Sequence, residues 1–69
     1  DKYVALGIPA EWVPVVQKAG YNTVESLRGV KPGKLFQELL DIKKKYRDYL
    51  ADLQNPTQQD VAEWIEKLG

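Results

Sequence analysis

The sequence predicts an all-α fold, a compact four- to five-helix bundle in a single domain spanning residues 1–69. Three observations carry that expectation. Apolar residues recur at helical spacing through most of the chain, and no stretch alternates apolar with polar as a half-buried strand would. Gly and Pro interrupt these stripes often enough that each helix has a readable start and stop. A chain of 69 residues has material for one small core, and with no Cys it has no disulfide to support that core.

The elements follow in order. "DKYVAL" supplies a short helical turn through Tyr3, Val4 and Leu6. In "EWVPVVQKAG" the residues Trp12, Val13, Val16 and Ala19 share one helical face, and Gly20 stands where a left-handed residue ends a helix. Pro14 lacks an N–H and belongs in the first turn, so this helix starts near Glu11. "YNTVESLRG" restarts quickly: Thr23 is an N-cap, Ser26 takes the place of the reciprocal capping residue, and Gly29 closes a helix little longer than one turn.

Pro32 opens the next helix, which meets no breaker beyond Gly33 in its first turn and runs to about Leu53. Leu35, Leu39, Ile42, Tyr46, Tyr49 and Leu53 form its stripe, broadened by Phe36, Leu40 and Leu50. Such a helix would be on the order of 30 Å long, so its last two turns either project beyond the core or bend back. Pro56 breaks the chain, Thr57 caps the final helix, Asp60 meets its dipole, and Val61, Trp64, Ile65 and Leu68 line one face. The predicted core is Leu35, Phe36, Leu39, Ile42, Val61, Trp64, Ile65 and Leu68, with Val16 and Leu27.

Composition narrows the function. Without Cys or His the chain lacks the thiolate and imidazole that supply most metal ligands, nucleophiles and general bases. Ser26 has no His to activate it, Asp48 with Asp52 and Glu63 with Glu66 stand at spacings ordinary for surface carboxylates, and no Gly-rich nucleotide loop follows a strand. No catalysis, cofactor or metal is expected. No run of about twenty apolar residues and no leader pattern is present, so no membrane partner is expected and the domain reads as soluble and cytoplasmic. Ten basic and ten acidic residues cancel, so any contact with a polyanion must come from a local patch.

The stretch "VVQKAGYNTVESL" resembles the first hairpin of the C-terminal domain of the bacterial RNA polymerase alpha subunit, in which a small residue, Gly, an apolar residue, Asn and Thr recur in that order. That resemblance implies a fold of the helix-hairpin-helix (SAM-like) type. The wider layout, including "VKPGKLFQELLDI" and "NPTQQDVAEWIEKL", is similar to the extra C-terminal domain of lysyl-tRNA synthetases of the Bacteroides group. The implied function is an accessory domain of an RNA-handling enzyme. The turn departs from nucleic-acid-gripping hairpins in having Tyr21 and no second Gly, and "LQNPTQQD" lacks the Gly and cation of the polymerase domain's second turn.

Two candidate sites follow. For RNA, tRNA above all, the contacts are Lys18, Asn22 and Thr23 at the hairpin and Lys31, Lys34, Lys43, Lys44 and Arg47 on the third helix. For a protein partner they are Tyr46, Tyr49, Leu50 and Leu53, on the part of that helix expected to outrun the core. The bland alternatives are a helix joint at the hairpin, in which Tyr21 packs as a bridge, and a solvated face at "KKKYR". "KKKYRDYLADLQNPT" fits the synthetase-like layout least, a departure equally compatible with a helix engineered to bind a chosen protein. The discriminating feature is what the second half of the third helix exposes: cations without apolar neighbours favour RNA, and Tyr and Leu grouped in the open favour a protein.

Overall fold

The computed structural model describes residues 1–69 and contains five α-helices and two 3₁₀ turns, with no strand. α1 is Lys2–Ala5, and a 3₁₀ turn over Ala10–Trp12 leads into α2, Val13–Lys18, so the helix expected from Glu11 begins as a tighter coil. Pro14 lies at its N-terminal end, as its missing N–H requires. A second 3₁₀ turn, Val24–Leu27, is capped by Thr23, whose side chain accepts from the Ser26 N–H. α3 is Pro32–Lys45, α4 is Arg47–Leu50 and α5 is Gln58–Glu66. At the start of α5, Thr57 and Asp60 form a reciprocal capping box, each side chain accepting from the other's backbone N–H.

The long helix expected to reach Leu53 stops at Lys45. Tyr46 departs from helical geometry at φ −110° and ψ 36°, although no Pro or Gly stands there. Tertiary structure supplies the reason. Leu50 and Leu53, at the end of the expected helix, are half-buried against the core. Turning at Tyr46 lets both pack against that core, and the Lys43 ammonium clamps the return by donating to the Leu53 carbonyl at 2.6 Å and to Asn55 Oδ1 at 2.7 Å. Of the two outcomes left open for the last turns, the chain bends back.

The core is formed by Tyr3, Leu6, Ile8, Trp12, Val13, Val15, Val16, Val24, Leu27, Leu35, Leu39, Val61 and Trp64. Phe36, Ile42, Ile65 and Leu68, expected within it, are half-buried at its rim. The N-terminal quarter takes their place. Two ties fix that quarter to distant chain: Trp12 Nε1 donates to the Gln54 carbonyl at 2.9 Å and Lys67 Nζ donates to the Leu6 carbonyl at 3.0 Å. Gly7 makes the tight turn between α1 and Ile8 at φ +101°, and a Cβ there would lie 3.2 Å from Lys67 Nζ and 3.4 Å from Trp64 Cδ1. No buried side-chain polar atom lacks a partner.

Candidate nucleic-acid interface

The hairpin turn is built by backbone geometry. Gly20, at φ +106°, ends α2, while the Gly20 N–H donates to Gln17 O and the Tyr21 N–H to Val16 O, the paired bonds of a Schellman stop. Tyr21 then turns inward. Its carbonyl accepts from the Tyr3 hydroxyl at 2.8 Å, and its own hydroxyl donates to Glu38 Oε1 at 2.6 Å, joining α1, the hairpin and α3. Thr23 is occupied as a cap, and Asn22 is exposed. The residue that would lie between two glycines in a phosphate-gripping turn is here a structural bridge.

That bridge has a titration signature. Burial, then the hydrogen bond to Glu38 and the charge of its carboxylate, push the Tyr21 phenol from 10.0 up to about 12. The folded state therefore holds this proton to higher pH than the unfolded chain does. The stability that results is complete below pH 10 and is lost as pH rises from there toward 12. Tyrosinate absorbance in alkali should show a late ionisation that Tyr21→Phe removes, and that substitution should flatten the alkaline loss of stability. A Tyr21→Phe variant whose alkaline titration and alkaline stability match those of the unaltered chain would contradict the bridge.

The cations fall into separate groups. Lys31 and Lys34 are exposed at the start of α3. Lys44 lies roughly 15 Å further along the same helix, well beyond the distance over which exposed charges reinforce one another at physiological salt. Glu38 and Asp41 intervene. Lys43 is half-buried and committed to Leu53 and Asn55. At the far end, Lys18 from α2 and Lys45 from α3 meet over one ring, their ammonium groups 4.8 and 5.6 Å from the centroid of Tyr46. Lys44 and Arg47 are exposed beside them in the chain.

The structure thus brings Lys18 to the α3–α4 corner and leaves Lys31 and Lys34 apart. Lys45, which residue spacing alone did not select, joins the group through Tyr46. The apolar set divides differently: Tyr46 lies under cations, Leu50 and Leu53 are half-buried, and Tyr49 alone stands open at 86 % exposure.

One groove of about 400 Å³ lies elsewhere, between the Gly7–Trp12 segment, the Gln54–Pro56 loop and α5. Glu11, Asp60 and Glu63 line it with Trp12, Trp64 and Lys67. The carboxylates form no group able to hold a metal ion. Asp60 is engaged in the α5 cap, and no helix of the chain is long and apolar enough to cross a membrane.

These features describe a small all-α domain in which exposed cations gather at the α3–α4 corner, two of them over the ring of Tyr46. The chain belongs to the family described as a domain of unknown function, DUF4332, whose pattern it matches over residues 3–68. It is also similar to the lysine–tRNA ligases of two strains of Porphyromonas gingivalis, with 53 % and 52 % identity over 66 residues. Those matches cover 96 % of this chain but only 11 % of each ligase. No solved structure matches it.

Proposed function

We propose that the chain is a non-catalytic accessory domain of an RNA-handling enzyme, an aminoacyl-tRNA synthetase by its relatives, and that it contacts RNA weakly. The relatives support the setting, since a segment of a lysine–tRNA ligase is 53 % identical to this chain over 66 residues. One observation carries the choice of RNA over a protein partner. The α3–α4 corner leaves Lys44, Lys45 and Arg47 exposed while Leu50 and Leu53 pack against the core. A corner of this kind neutralises phosphates and offers little apolar area to a protein.

Lys18, Lys44, Lys45 and Arg47 form the principal contact. Lys31 and Lys34 form a second, separate one, with Asn22 and Thr23 at the margin beside Lys18. Lys43 contributes mainly by holding the corner in shape. With a formal net charge of zero, the chain has no overall field to steer a polyanion, so binding is weak and salt-sensitive.

Titrating the labelled domain with tRNA at low and at physiological salt tests this. Affinity should fall steeply with salt, to a Kd of roughly 10⁻⁴ to 10⁻⁶ M under physiological conditions. Replacing Lys44, Lys45 and Arg47 together by Ala should make the salt dependence shallower by about two to three units of slope. Failure to bind tRNA even at low salt would rule the reading out.

A further inference from the structure

We propose that Tyr49 is a stacking platform for an unpaired base, so that the RNA held at this corner is a single strand or loop and not a duplex; the proposal rests on the RNA reading above. In an unbroken helix Tyr49 would continue the stripe of buried Leu35 and Leu39 and half-buried Ile42 and Tyr46. The turn at Tyr46 removes it from that stripe. Its neighbours Leu50 and Leu53 return to the core, and Tyr49 is left 86 % exposed, whereas the next most open large apolar side chain, Val4, is 45 % exposed.

The two rings of the corner differ in occupancy. Tyr46 is covered by the ammonium groups of Lys18 and Lys45, while no cation sits over Tyr49. Between Lys43 and Asp52 the chain carries four cations against Asp48 and Asp52. Lys43 is turned to Leu53 and Asn55, while Lys44, Lys45 and Arg47 are exposed within five residues of Tyr49 in the chain.

An uncovered aromatic face on the same short segment as exposed cations supplies both contacts a single strand uses, a surface for a base and charges for its phosphates. Bases inside an A-form duplex are already stacked and cannot reach such a ring. A protein partner would need apolar area around Tyr49, and the two leucines that could provide it face the core.

The test compares two labelled RNAs: an oligomer of about twelve nucleotides containing only adenosine and cytidine, which cannot pair with itself, and a perfect RNA duplex of the same length. Tyr49→Ala should weaken binding to the single strand roughly tenfold without changing the slope of its salt dependence. Duplex binding should be unaffected, and Tyr49→Trp should restore single-strand affinity. Because Tyr49 contributes almost nothing to the core, the melting temperature should not change, which separates lost stacking from lost folding. If Tyr49→Ala binds the single strand as tightly as the unaltered chain while Lys44→Ala with Arg47→Ala weakens it, stacking is overturned and the RNA reading stands. If the unaltered chain binds neither RNA at low salt, both fall together, and the open ring is left to a protein partner.

Discussion

Trp12→Ala is expected to leave the chain largely unfolded at room temperature. Removing a buried Trp or Phe side chain costs about 3–5 kcal/mol through lost burial and the cavity left behind. Trp12 is 1 % exposed, so the full penalty applies. It also strips the Gln54 carbonyl of the indole donor 2.9 Å away, which adds about 1–3 kcal/mol to the extent that water cannot replace it. Against this, a domain of 69 residues has about 3–10 kcal/mol in all.

Trp12→Phe separates the two contributions. It keeps most of the apolar ring and removes the N–H, so it should fold with its stability lowered by about 1–3 kcal/mol and its midpoint reduced accordingly. Urea unfolding followed by circular dichroism distinguishes the cases. An Ala variant with a midpoint near that of the unaltered chain would mean that the Gln54–Pro56 loop and the N-terminal quarter do not depend on this side chain.

The reach of Trp12 also explains which parts of the fold were legible in the sequence. Its place on an apolar stripe predicts burial, and Thr57 with Asp60 predicts the start of α5, because those signals are contained within one turn of helix. The end of α3 is different. Nothing local stops the helix at Lys45; the break reflects where Leu50 and Leu53 find apolar surface and where the Lys43 ammonium finds acceptors up to twelve residues away. Ile8, 1 % exposed between Gly7 and Pro9, belongs to no periodic stripe and enters the core only because Gly7 turns the chain back across Trp64.

The candidate site has the same division. The basic run was visible as residues, but its geometry was not. Lys18 lies 28 residues before Tyr46, and only the packing of α2 near the end of α3 sets both Lys18 and Lys45 over that ring. Spacing along an ideal helix treats Lys43 and Arg47 as neighbours on one face. The break at Tyr46 separates their roles, one inward and one outward. At the hairpin, Gly20 and Thr23 were readable as stop and start signals, whereas the bridge from Tyr21 to Glu38 joins residues 17 positions apart and has no sequence signature.

Lys43 and Lys44, adjacent in sequence, are therefore expected to fail in opposite ways when changed to Met. Lys43→Met keeps the aliphatic stem that packs beside the loop and removes an ammonium bonded to Leu53 O and Asn55 Oδ1. Hydrogen bonds from a charged donor contribute about 1.5–3 kcal/mol, and partial exposure lets water replace some of that, so a loss of about 2 kcal/mol is expected. For a domain this small that corresponds to a fall in Tm of roughly 10 °C. Lys44 is exposed, and Lys44→Met should leave the Tm nearly unchanged. RNA binding should reverse the order: Lys44→Met makes the salt dependence shallower by a little under one unit, the value for one phosphate contact, while Lys43→Met changes it less because that charge is already directed into the protein. Thermal melts and salt titrations of the two variants decide the matter together. An unchanged Tm for Lys43→Met, accompanied by the loss of a full unit of slope, would mean that Lys43 swings outward to the phosphates and that the α3–α4 corner holds its shape without it.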